Sequence, residues 1–347
     1  MPFSLRPFSI GPIQVASPVV LAALAGYSDL AYRHVCRRLG CPYSTTEAML
    51  DKQMLMDGRL RRRLVKQSAT DHPVAAQIMG CKAETMAPAA LVLEEMGFDV
   101  IDLNFACPVR KVVGRRRGGW MMDHPDEVIE IIDAVLAAVK TKPVTIKLRR
   151  AFHESDTEYA AFYKIARHAY DAGVAAICVH ARSVTQKYTG RADWDFIKAA
   201  RDAFPGRTLL GSGDIMSPAD AIRMIQYTGV DGVTAARGAI GNPWFFRQVQ
   251  DVAEGREPYR PTVPELREVL DEHFKMGCEL YGPRRGPKIM RKFGIKYARM
   301  HPHPSKVRAA FINVKKASDW KAVIDEFFTE KVFADHGSHG LSADCED

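Results

Sequence analysis

Short apolar runs rich in β-branched residues recur along the chain and alternate with stretches whose apolar positions return every three to four residues. The runs predict strands at Val19–Ala23, Ser44–Thr46, Val74–Met79, Val100–Asn104, Val144–Leu148, Ala176–His180, Thr208–Gly211 and Gly232–Ala236. Between them, Glu84–Met96, Pro125–Val139, Thr157–Ala172, Asp195–Ala203 and Pro218–Thr228 predict amphipathic helices. Gly97 and Gly229 each stand between a helix and the next strand, where a left-handed residue closes the last turn. Eight strands with helices after them, over roughly 250 residues, predict an α/β fold of the (β/α)8 TIM barrel kind. A doubly wound sheet shares the alternation, but no G-x-G-x-x-G follows the first strand, which counts against a dinucleotide-binding version.

The pattern changes after Pro243-Trp244-Phe245. A Gly/Pro-rich linker, Glu254 to Pro261, leads into purely helical periodicity at Val263–Leu280, Pro287–Met300, Pro304–Lys315 and Trp320–Phe328. The chain therefore divides into a barrel over 1–254, a small C-terminal helical domain over 262–333, and a tail over 334–347 expected to be disordered.

Composition narrows the setting. With 47% hydrophobic and 26% charged residues in 347, the chain is globular. It has no apolar run long enough to span a bilayer and no secretory leader pattern, so no membrane partner and a cytoplasmic location are expected. The seven Cys are scattered without a C-x-x-C pair or zinc spacing, so neither disulfides nor a metal site is expected. The formal charge is +8. From Arg284 to Lys316 there are eleven Lys/Arg and no acid. Ordinary solvated faces mix both signs, so this stretch reads as a polyanion-binding surface, with Lys288, Arg291 and Lys292 as contacts.

In such a barrel the chemistry belongs at the C-terminal ends of the strands. The fourth strand ends in Asn104-Phe105-Ala106-Cys107-Pro108. An isolated Cys is usually a small buried hydrophobe, but a thiol at a strand end, protonated at neutral pH, can also serve as an acid. A cationic, glycine-containing lip follows, from Arg110-Lys111 to Arg115-Arg116-Arg117. The fifth strand ends in Ile146-Lys147-Leu148, and the sixth in Val179-His180-Ala181-Arg182. The alternatives there are a salt-bridged lysine and a satisfied core histidine. Gly211-Ser212-Gly213-Asp214 follows the seventh strand and Ala236-Arg237-Gly238 the eighth, loops between which barrels often bind phosphate.

At these residues the chain resembles the tRNA-dihydrouridine synthase family, nearest its bacterial B-type members, from about Phe8 to Phe328. The shared elements include Ala23-Leu24-Ala25-Gly26-Tyr27-Ser28-Asp29, Gln77-Ile78-Met79-Gly80, Asn104-x-x-Cys107-Pro108-x-x-Lys111 and Lys147. They continue in His180-Ala181-Arg182, Tyr188-x-Gly190-x-Ala192-Asp193-Trp194, Ser212-Gly213-Asp214 and Ala236-Arg237-Gly238. The resemblance implies FMN in the barrel mouth, with Ala23, Leu24 and Ala25 along the flavin and Gln77 and Lys147 bonded to its ring. It implies that Ser212, Gly213, Asp214, Ala236 and Arg237, with His180 nearby, hold the ribityl phosphate. It also implies that NADPH reduces the flavin, that a uracil of RNA accepts hydride at C6, and that Cys107 protonates C5. Asn104 would touch the uracil, and Lys111 and Arg182 would meet RNA, with tRNA the expected substrate and ribosomal RNA the alternative. The chain departs from the family at Ala23-Leu24 (usually Pro-Met), Ala106 (usually Gly) and Ser212 (usually Asn). Competing readings are a small-molecule flavin oxidoreductase of the dihydroorotate dehydrogenase type and an RNA-binding homologue that has lost catalysis. Oligomeric state has no signature in the sequence.

Overall fold

The computed structural model describes residues 2–156 and 159–334. Eight parallel strands form a closed ring: β1 (Val19–Leu21), β2 (Ser44–Thr45), β3 (Val74–Met79), β4 (Val100–Asn104), β5 (Val144–Arg149), β6 (Ala176–His180), β7 (Leu209–Ser212) and β8 (Gly232–Ala235). Closure is through β8 against β1, with Val233 opposite Val19 and Ala235 opposite Leu21. Each expected strand is present to within two residues at its ends. The strands are buried on both faces, as β3 and β4 show along their whole lengths, because helices cover the outside and side chains fill the inside.

Two small additions were not legible. An antiparallel hairpin, Phe8–Ile10 with Ile13–Val15, lies before β1, and its Phe8 and Ile10 join an apolar cluster with Val20, Ala75, Val100 and Leu210. A two-residue strand, Met49–Leu50, pairs with Ile78 and Met79 at the C-terminal end of β3. The helix expected from Thr157 is observed over Ala160–Ala172, and 157 and 158 lie outside the described residues.

Beyond the helix Phe245–Ala253 the described chain is helical only: Val263–Tyr281, Gly286–Tyr297, Pro304–Ile312, Ala317–Phe327 and Glu330–Ala334. Thr262 caps the first of these, its hydroxyl paired with the Glu265 backbone and the Glu265 carboxylate with the Thr262 N–H, which satisfies two orphan donors at once. The helices share one core with the barrel, in which Tyr32, His273, Phe293 and Tyr297 pack together. The tail expected over 334–347 lies, from 335 onward, outside the described residues.

Candidate active site

The mouth of the barrel is organised by a chain of side-chain hydrogen bonds. Asp102 and Asn104 stand two apart on β4 and so point inward together. Thr145 Oγ1 and Gln77 Nε2 donate to the two oxygens of Asp102, at 2.7 and 2.6 Å. Asn104 Nδ2 donates to Gln77 Oε1 at 2.6 Å. Both primary amides are thus held in one orientation. Burial raises the Asp102 carboxyl above its usual range, opposed by the bonds from Gln77 and Thr145 and by Lys147.

Asn104 also turns the chain. Its Oδ1 accepts the backbone N–H of Ala106 at 3.0 Å and of Cys107 at 3.1 Å, a local turn that carries Cys107 onto the rim. Ala106, where the resembling family has Gly, is absent from the residues with positive φ, so the methyl costs no backbone strain. Burial pushes the Cys107 thiol up, opposed by the Val109 N–H and the Arg149 guanidinium. The cationic lip folds back over it. Gly119 N–H donates to the Cys107 carbonyl at 2.9 Å, and a Cβ on Gly118 would lie 2.9 Å from Cys107 Cβ. Lys111, Arg110, Arg115 and Arg116 remain exposed on the lip.

Arg149, at the end of β5, was not singled out in the sequence. It is 1% exposed. Its Nε donates to the Ala106 carbonyl at 2.8 Å, and Nη1 to Ser183 and Lys187 carbonyls at 2.7 and 2.8 Å. It ties the Cys107 turn to the loop after β6 and lies under the exposed Tyr188 ring, 5.8 Å from its centroid. Burial draws its pKa down to about 10, which leaves it cationic at neutral pH. Its signal was an Arg two residues past Lys147 on the same strand face.

Lys147 reaches the cleft lined by Ala22, Ala23, Gln77, Asp102, Cys178 and Thr234. Its ammonium donates to Cys178 Sγ at 3.3 Å and forms no salt bridge among the described residues. Ala23 and Leu24 are half-buried beside this cleft and Ala25 is exposed. Leu24 N–H donates to Ser28 Oγ at 2.9 Å.

The loops after β6, β7 and β8 form a second, cationic cluster. His180 is driven well below its usual range, first by burial and then by Arg149, Lys147, Arg182 and Arg237, so the ring is neutral. Its Nδ1 accepts the Arg182 N–H at 3.2 Å, which puts the ring proton on Nε2. Ser212 is buried; Gly213 has φ +123°, and a Cβ there would sit 2.8 Å from Ala192 Cβ. Asp214, at φ 55°, accepts from Ala192 N–H at 2.7 Å. Half-exposed Arg237 approaches Asp214 at 3.4 Å, beside Ala236.

Two residues expected to meet RNA make their polar contacts inside the fold. Arg182 is 2% exposed, with Nη2 donating to both Asp214 oxygens at 2.6 and 2.7 Å and Nε to the Thr189 and Gly190 carbonyls. It is a strut inside the cluster, and its Nη1 is buried without a partner. Lys292 is half-buried, its ammonium donating to the Gly26 carbonyl and lying 5.0 Å from the Tyr27 ring centroid. It clamps the helix Gly286–Tyr297 onto the barrel. Arg291 leans on the Ile312 carbonyl at 3.5 Å, and Lys288 is exposed.

Residues 20–333 match the family model described as dihydrouridine synthase. Among curated relatives, tRNA-dihydrouridine synthase B of Shewanella oneidensis is 33% identical over 93% of this chain and 99% of its own. The synthase B of Pseudomonas aeruginosa is 33% identical over 93% and 96%. A probable tRNA-dihydrouridine synthase of Rickettsia conorii is 32% identical over 92% and 96%. Among solved structures, a 2-naphthoyl-CoA reductase superposes with TM-score 0.60 at 11% identity, over 93% of this chain and 69% of that one. Histamine dehydrogenase from Rhizobium sp. 4-9 superposes with TM-score 0.54 at 15% identity, over 78% and 50%. At those identities the structural likeness is one of fold.

Proposed function

Because the chain belongs to the dihydrouridine synthase family, we infer that it is a flavin-dependent tRNA-dihydrouridine synthase that reduces the C5–C6 bond of a uracil. The observation that carries this reading is the Cys107 thiol, fixed at the barrel rim by Asn104 and kept protonated by burial. The cluster beside it fits FMN. Arg182 Nη1 is a buried donor in want of an acceptor, and with Arg237 and neutral His180 it suits a phosphate. Lys147 is a cation in the cleft that donates to a thiol and forms no salt bridge among the described residues, suited to the electron-rich edge of a flavin ring.

When bound, the flavin supplies hydride to uracil C6, with NADPH as the source of electrons. The chain's own residues do the rest. Ala23, Leu24 and Ala25 offer an apolar strip along which a ring can lie. Gln77, locked by Asp102 and Asn104, presents its amide in one orientation. Cys107 gives its proton to C5 and returns to the thiol by taking one from solvent. The remaining Asn104 amide N–H is free to meet the uracil, which must leave its stack to reach the cleft.

Purified protein incubated with FMN, NADPH and an unmodified tRNA transcript should form dihydrouridine, read by nucleoside mass spectrometry. Cys107→Ala should lose about 100-fold or more of that rate while keeping its flavin colour. Product formed from a ribosomal RNA fragment and not from tRNA would change the substrate; none from either would sink the reading.

A further inference from the structure

The basic stretch legible in the sequence lies in the helical domain, but a second one folds against it. Residues 59–66, Arg-Leu-Arg-Arg-Arg-Leu-Val-Lys, carry five cations, and no acid falls between Asp57 and Asp71. The segment follows the strand Met49–Leu50, which pairs with the last two residues of β3, so it leaves the barrel on the mouth side. Its short helix Arg59–Leu64 buries no residue fully. Arg63 lies over the Tyr281 ring, 5.0 Å from the centroid, and Tyr281 Oη donates to Asp29 at 2.8 Å. Arg63 and Arg285 both press on the Lys292 ammonium. The exposed Arg59 and Arg62, with Arg61 and Arg63, are therefore brought to the same side as the exposed Arg284, Arg285 and Lys288, from sequence positions more than 200 apart.

That surface also has an apolar component. Met56 is 69% exposed, Leu60 42% and Leu55 40%, three of the few large apolar side chains that the described residues leave in solvent. Cations alone would suit duplex backbone. Cations interleaved with projecting Met and Leu suit a strand whose bases are unstacked, since apolar side chains can lie against or between opened base steps. Asp57 pairs with Arg62 at 3.3 Å, both largely exposed, a surface contact weak enough to be exchanged for a phosphate.

We propose that segment 55–66 is a second RNA-gripping element, in which Arg59 and Arg62 take phosphates and Met56 and Leu60 take unstacked bases of a loop beside the target nucleotide. This rests on the RNA substrate inferred above.

The test is tRNA affinity against salt for the flavin-loaded protein. Arg59→Ala with Arg62→Ala should weaken binding and flatten the log–log salt slope by about one to two. Arg59→Lys with Arg62→Lys should restore the slope, separating lost charge from lost fold. Met56→Ser with Leu60→Ser should weaken binding to tRNA with the slope unchanged, and should leave binding to a plain RNA duplex unaltered. Wild-type slope and affinity in the double alanine variant would overturn the proposal while leaving the enzyme's RNA substrate intact. Failure of the wild-type protein itself to bind RNA would instead sink the functional reading. Attachment of this segment to anionic vesicles, with RNA binding unchanged, would assign it to another partner and also overturn it.

Discussion

A thiol that must surrender a proton works only while its surroundings keep the proton on it. Burial does that for Cys107, raising it above the ordinary thiol range against the pull of Val109 and Arg149. With Cys107 as the acid proposed above, RNA reduction should persist to higher pH than a free thiol would allow and fall as pH passes the raised value. A rate profile of the RNA half-reaction checks this, and an alkaline limb below about pH 8.5 would contradict it. Cys107 and Lys147 were legible because reactive types at strand ends have few structural reasons to be there. Arg149 and Asp102 were not. Each spends its charge on neighbours inside the fold, and which carbonyl an arginine will meet is decided by loops distant in sequence. Arg182 was read as an anion contact that would meet RNA: its charge is visible in the sequence, while its partner Asp214 is supplied by the loop after another strand.

Elements made mostly of local signals were the most legible. The barrel strands are short apolar runs between glycine-marked helices, and each is found close to its expected place. The hairpin Phe8–Ile10 with Ile13–Val15 and the pair Met49–Leu50 are too short to carry a period. Their existence depends on partners. Gly241 shows how sharply such packing is set: it has φ +75°, and a Cβ there would collide with the Lys296 backbone across the barrel–helix contact. Its N–H also donates to Tyr32 Oη at 3.0 Å. Gly241→Ala should destabilise the protein by about 2 kcal/mol or more, visible in chemical denaturation. Gly97→Ala, where nothing lies within 4 Å, should cost only its left-handed conformation, about 1 kcal/mol.

Across the whole molecule, cations divide into those that hold it together and those that face outward. Lys292 belongs to the first group and Lys288 to the second. Lys292→Ala should lower stability by about 2 kcal/mol through loss of a charged hydrogen bond, leaving the salt slope of RNA binding unchanged. Lys288→Ala should do the reverse, with the slope falling by about one and the melting temperature steady. A flattened slope in the Lys292 variant would return that lysine to the RNA surface.

The Gly26 carbonyl that receives the Lys292 ammonium is three residues beyond Ala23, which lines the cleft. That single bond joins the loop leading out of the cleft to a helix of the C-terminal domain. Should filling the cleft tighten that loop, reciprocity requires RNA drawing on helix Gly286–Tyr297 to alter affinity in the cleft by the same factor.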